Sequence, residues 1–153
     1  MSGELLLRSP AKVNLGLRVL GLRTDGYHEV DTVLQMVDLW DRLCIRPRRR
    51  GLNVRCDHPD VPPGPDNLVY RAAELLRREA GLRGGASICI EKSIPVGAGL
   101  GGGSGNAALA LWGLNHLWGA GLRREELIAL ARRLGADVPF FLTAARARGR
   151  GRG

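Results

Sequence analysis

Residues 92–111 read KSIPVGAGLGGGSGNAALAL, and five of the seven positions from Gly97 to Gly103 are glycine. Glycine lets successive backbone N–H groups turn toward one point with no side chain in the way. A helix opening at about Ser104 adds its free amides and the positive end of its dipole. Such a place binds phosphate. A flexible linker is the other reading, but a linker has polar flanks, whereas this loop lies between an apolar strand and a long apolar helix. The segment is not a Walker A loop: Gly97 and Gly102 have the spacing, but Gly103 occupies the lysine position. Gly97, Gly99 and Gly102 also satisfy GxGxxG. Yet Pro95 interrupts the preceding strand, and a second helix follows where a strand ending in an acid is required.

Outward from the loop, GNAALALWGLNHLW and REELIALARRLG predict two helices joined by the turn GAG, and ASICIEK predicts the strand that enters it. Further upstream, NLVYRAAELLRREAG carries apolar residues three and four apart, with Asp66 as its expected cap and a stop at Gly81. The first third is mostly strand: VNLGLRV at 13–19 alternates with period two, and Glu29 to Leu39, Arg42 to Arg46 and Leu52 to Cys56 follow. Strands early and helices late make an α+β fold, expected as one domain over 1–143. The remaining residues, 144–153, form an arginine- and glycine-rich end.

The chain has 153 residues, of which 44% are hydrophobic and 25% charged, with no apolar run near membrane-spanning length. Its start turns at once into strand pattern, so neither a targeting peptide nor an anchor is expected, and a cytoplasmic location follows. Cys44, Cys56 and Cys89 lack metal-ligand spacing and are expected as buried thiols. The net charge of +8 raises the question of a nucleic-acid partner, but four arginines crowd the last eight residues and the body is mildly basic. Lysine occurs only at Lys12 and Lys92.

Several side chains have two readings. Asp137, in LGADVPFFL, either caps a turn or is a carboxylate held for chemistry in an apolar setting. Lys12 shares a strand face with Asn14, and reads as a surface lysine or as part of a site. Ser104 caps the helix or reaches phosphate and a metal ion. Asp25, Gly26, Tyr27 and His28 form a turn that packs locally or presents an aromatic ring and an imidazole to a planar base.

SPAKVNLGL, RTDGYHEVDTV, DNLVYRAA, KSIPVGAGLGGGSGNAALAL, GLNHLWGAGL and LGADVPFFL stand together in the order and spacing of the GHMP kinases, which the chain resembles. The likeness is to the branch acting on cytidine-diphospho-methylerythritol in non-mevalonate isoprenoid synthesis. That resemblance implies a ribosomal-protein-like two-layer domain and ATP as phosphoryl donor, with Mg2+. It places Pro95, Val96, Gly97, Ala98, Gly99, Leu100, Gly101, Gly102, Gly103, Ser104 and Gly105 around the ATP phosphates, with Asn67 and Lys92 near the nucleotide and Ser104 as a metal ligand. It makes Lys12 and Asp137 the catalytic pair. Asn14, Tyr27, His28 and Val138 would line the substrate site, Tyr27 and His28 reading the cytosine. Two departures stand out. Gly105 replaces the second of two serines usual in the family, and the likeness covers the first half of a member, without its C-terminal domain. Residues 144–151 then read as the family's next strand, interrupted, with no role in binding nucleic acid or membrane.

Overall fold

The computed structural model describes residues 3–152, and of residues 151 and 152 the backbone alone. Strands β1 (Leu5–Leu22) and β2 (His28–Arg48) form a long antiparallel hairpin, followed by β3 (Leu52–Cys56) and a 3-10 turn, Gly64–Asp66. Helix α1 (Leu68–Glu79), β4 (Gly85–Glu91), α2 (Gly102–Leu117) and α3 (Arg124–Leu134) come next. A second 3-10 turn, Val138–Leu142, then leads to β5 (Arg146–Arg152). The sheet runs β1-β2-β4-β3, with β3 parallel to β4 and β5 paired to the outer half of β2.

Alternation divides the sheet into two faces. Leu43 and Ile45 on β2, Val54 on β3 and Ile88 and Ile90 on β4 point into the core, against Val69, Leu76, Leu111 and Leu114 of the helices. Each such side chain contributes about 1.5–3 kcal/mol. The residues between them, Arg42, Cys44, Arg46 and Cys89 among them, face outward. The result is the two-layer α+β arrangement. The apolar residues of α1, at 69, 72, 73 and 76, recur at the spacing that makes one buried stripe.

The hairpin differs from the sequence reading. The segments expected as separate strands at 29–39 and 42–46 are one strand, and β1 extends beyond 13–19 in both directions. Pro10 pairs with Trp40 but Ala11 with Val37, so β2 carries extra residues there. Pro10 has no N–H to give the ladder, and the bulge takes up the mismatch. Beyond it the hairpin leaves the helices, and Leu15, Leu17, Val19, Leu20 and Leu22 are exposed.

Three further expectations are corrected. Asn67, not Asp66, caps α1: Asp66 is consumed by the preceding 3-10 turn, and the Asn67 Oδ1 accepts from the Val69 N–H at 2.8 Å. The glycine helix opens at Gly102 instead of Ser104, because Gly101 in the left-handed region already accepts the Gly105 N–H at 2.8 Å. The cysteines are not buried: Cys44 and Cys56 are half-buried and Cys89 is exposed, Cys44 and Cys89 because they lie on the sheet face away from the helices, and Cys56 because, at the end of β3, it packs only partly against the core. The arginine-rich end runs as β5, where Arg148 donates to Asp31 and Arg146 to Gln35. Gly153 lies outside the described residues. Among the described residues no helix is long and apolar enough to cross a membrane.

Candidate active site

The glycine loop is shaped by alternation. Gly97, Gly99 and Gly101 have φ of 74°, 74° and 71°, while among the described residues no non-glycine residue has positive φ. Alternating signs of φ aim successive amides to one side, the geometry of an anion-binding nest. The loop is tied to β1 by the Lys12 N–H, which donates to the Leu100 carbonyl at 2.8 Å. The loop and the first turn of α2 therefore line one wall of a cleft of about 500 Å3. Every position from Pro95 to Ser104 lines it, as do Asn67 and Lys92. Asn67 spends both ends of its amide on the frame, capping α1 and donating to the Pro62 carbonyl at 2.9 Å.

Gly105 does not line the cleft. A Cβ there would stand 2.7 Å from Ser9 Oγ and 3.1 Å from the Pro10 carbonyl oxygen, so the space for a second serine side chain is already occupied. This close approach accounts for glycine at that position. The buried Ser9 hydroxyl has no hydrogen-bond partner among the described residues.

A second cleft, of about 490 Å3, opens on the other side of Lys12 between the base of the hairpin and β5. Asn14, Thr32 and Arg150 line it, and Lys12, Ser104 and Asp137 line both clefts. Lys12 is no surface residue: it is 6% exposed, and its Nζ donates to Asn14 Oδ1 at 2.8 Å and stands 3.4 Å from Asp137 Oδ2. Asn14 in turn donates to Thr32 Oγ1 at 2.9 Å, which fixes the amide and, through it, the ammonium. Asp137 is 42% exposed and makes no side-chain cap at the 3-10 turn it precedes, so the capping reading is not realised. Ser104 likewise caps nothing, since Gly101 holds that place.

Not every expected residue gathers here. Val138 is fully buried, and its side chain belongs to the core. Tyr27 and His28 lie at the far end of the hairpin and line neither cleft. Asp41 was not singled out from the sequence. It is 0% exposed and accepts from the Lys92 ammonium and from the N–H groups of Ser93 and Ile94 at 2.8 and 2.9 Å. A signal for it exists: Asp41 is in phase with the core residues Leu43 and Ile45, where a carboxylate needs a reason to be present.

Among the described residues no group of three or more His, Cys, Asp or Glu side chains is placed to hold a metal ion. A cation such as Mg2+ takes most of its oxygens from phosphate and water and needs few from the protein, and Ser104, which carries a hydroxyl, lines both clefts.

Residues 67–145 match the family described as GHMP kinases N terminal domain. Over 144 residues the chain is 54% identical to the 4-diphosphocytidyl-2-C-methyl-D-erythritol kinase of Pelotomaculum thermopropionicum, covering 94% of this chain and 50% of that protein. It is 52% identical over 143 residues to the kinase of the same name from Synechococcus sp. (strain JA-2-3B'a(2-13)), covering 94% and 46%. The chain thus spans about half the length of the curated relatives it matches. A crystal structure of 4-(cytidine 5'-diphospho)-2C-methyl-D-erythritol kinase superposes with a TM-score of 0.83 at 49% identity, over 96% of this chain and 52% of that one. The mevalonate kinase of Methanococcus jannaschii, at 13% identity and a TM-score of 0.72, shares the fold, with 97% of this chain and 54% of that chain covered.

Proposed function

The chain belongs to the GHMP kinase family, and from that premise we propose that it takes part in ATP-dependent phosphorylation of the 2-hydroxyl of 4-diphosphocytidyl-2-C-methyl-D-erythritol. The observation that carries this reading is the meeting of two clefts at Lys12, Ser104 and Asp137. One cleft has the amide-lined loop suited to the donor's phosphates, and the other is open for an acceptor. The names of the relatives, at 52–54% identity, point to the acceptor.

In this reading Asp137 accepts the proton of the acceptor hydroxyl as its oxygen bonds to the γ-phosphorus and the bond to the β-phosphate oxygen breaks, releasing ADP. Lys12, held by Asn14 and 3.4 Å from the carboxylate, supplies fixed positive charge where negative charge develops. The loop from Gly97 to Gly103 and the amides opening α2 hold phosphate, with Lys92 beside them. Ser104 would hold Mg2+ on the protein side, and the ion would supply neutralisation of phosphate charge. Asn14 and Thr32 line the acceptor side, while Tyr27, His28 and the backbone of Val138 serve the cytidine end of the substrate. The domain assignment, 1–143 as the ATP-binding domain with 144–153 as the truncated arginine- and glycine-rich end of the next strand, belongs to this reading, as does a cytoplasmic place of work.

Transfer from ATP to the cytidine substrate, followed by phosphorus NMR, tests it. The expected result is turnover by the parent chain and loss of at least about a hundredfold in Asp137→Asn. Nucleotide binding without turnover supports a second reading, that of a non-catalytic nucleotide-binding fragment of such a kinase. Equal rates for parent and Asp137→Asn would overturn the assignment.

A further inference from the structure

Asp41 is a buried titratable group for which the transfer chemistry has no use. An ionised carboxylate taken wholly out of water is costly unless paired and hydrogen-bonded on every side, and an apolar residue of similar size is often at least as stable. Asp41 occupies a core position of β2 between the sheet and the glycine loop, where the neighbours in phase are Leu43 and Ile45. Its two oxygens divide their tasks. Oδ1 accepts from the N–H groups of Ser93 and Ile94, the residues that lead into the loop at Pro95. Oδ2 takes the Lys92 ammonium, whose side chain is 5% exposed.

That ammonium is placed at the opening of α2: an added Cβ on Gly102, the first residue of the helix, would stand 2.8 Å from Lys92 Nζ. A lysine on four rotatable bonds would otherwise extend into solvent, since it is a strongly hydrated point charge. Folded back onto Asp41, it adds a fixed unit charge to the partial positive charge of the helix terminus. We propose that Asp41 is a positioning residue for phosphate binding: it pins Lys92 beneath the first turn of α2 and fixes the entry of the glycine loop. The proposal rests on the reading of that cleft as the nucleotide site.

Calorimetric titration of ATP and of adenosine into the parent, Asp41→Asn, Lys92→Met and the double variant tests it, with thermal melting to confirm folding. Asparagine keeps one acceptor for the loop amides and loses the charge that holds Lys92. Asp41→Asn is expected to weaken ATP at least about tenfold, the loss of one charge-assisted contact, and to leave adenosine within about twofold. The double variant is expected to bind ATP no more weakly than Lys92→Met, because both changes remove one device. Equal loss of ATP and adenosine, or losses that add fully in the double variant, would reduce Asp41 to a structural group and overturn the proposal. If Asp41→Asn does not fold, Lys92→Met decides: unchanged ATP affinity overturns it. A parent chain that binds adenosine but gains nothing from the phosphates sinks the reading of the cleft itself, and the proposal with it. Asp41→Asn matching a parent that binds ATP sinks the proposal alone.

Discussion

Gly105→Ala tests how tightly α2 is pressed against β1. Gly105 lies in the first turns of α2, in helical conformation, so alanine carries no backbone strain and gains about 1 kcal/mol of helix propensity. Against this, the new Cβ would meet Ser9 Oγ at 2.7 Å, the Pro10 carbonyl oxygen at 3.1 Å and Phe141 Cε1 at 3.3 Å. Overpacking of this kind costs about 1–3 kcal/mol, so the expected net effect is destabilisation by about 1 kcal/mol. The worst of the three contacts is a single hydroxyl, which is itself buried without a partner. Ser9→Ala removes that atom and is expected to be neutral or stabilising, since an unsatisfied buried hydroxyl costs about 1–3 kcal/mol. In the Ser9→Ala background Gly105→Ala should then be neutral or stabilising by up to about 1 kcal/mol. Urea unfolding of the four proteins reads the cycle. A coupling of at least about 1 kcal/mol is expected, and equal effects of Gly105→Ala in both backgrounds, within about 0.5 kcal/mol, would refute the packing argument.

Lys12→Met should abolish transfer by at least about a hundredfold, while the loop keeps its tie through the main-chain N–H of residue 12, so ATP affinity falls far less; a purely structural lysine would lower both together. Asn67→Ala loses a cap and the bond to the Pro62 carbonyl, and should cost about 1–2 kcal/mol in unfolding experiments. Acid should loosen the pairing of β5 to β2. The Arg148 guanidinium, followed by weaker contributions from Arg150 and Arg18, holds the Asp31 carboxyl down at about 2. A folded value depressed below an unfolded one near 3.9 means a stabilisation present above about pH 4 and lost as pH falls toward about 2. Asp31→Asn should flatten that dependence in denaturation midpoints; an unchanged pH profile would contradict it.

The central device was legible in the sequence because glycine spacing, flanking apolar pattern and a following helix are local properties. Lys12 and Asp137 stand 125 positions apart, and nothing in spacing alone unites them; only the likeness to a family did so. Asp41 is hard to read from the sequence although its phase with Leu43 and Ile45 marks it as inward-facing. Periodicity is read from apolar residues, and a carboxylate among them looks like a break in the strand. That same break, with the bulge opposite Pro10, made one strand look like two. The helix boundary at Gly102 and the cap at Asn67 shifted by one or two positions because tertiary ties, from Lys12 to Leu100 and from Asn67 to Pro62, chose among several residues able to cap. The strand setting of Cys44 and Cys89 reads as buried, but they face each other across β2 and β4 on the layer that no helix among the described residues covers. Which face of a strand is covered depends on where the helices dock, and a single strand does not encode it.

The central question is whether the alternating glycine loop and the opening of α2 hold phosphate. Amide NMR of the chain titrated with Mg·ATP, and separately with adenosine, reads this directly. The amides from Gly97 to Ser104 are expected to shift with ATP and to stay in place with adenosine. Shifts confined to other regions, or equal for the two ligands, would contradict it.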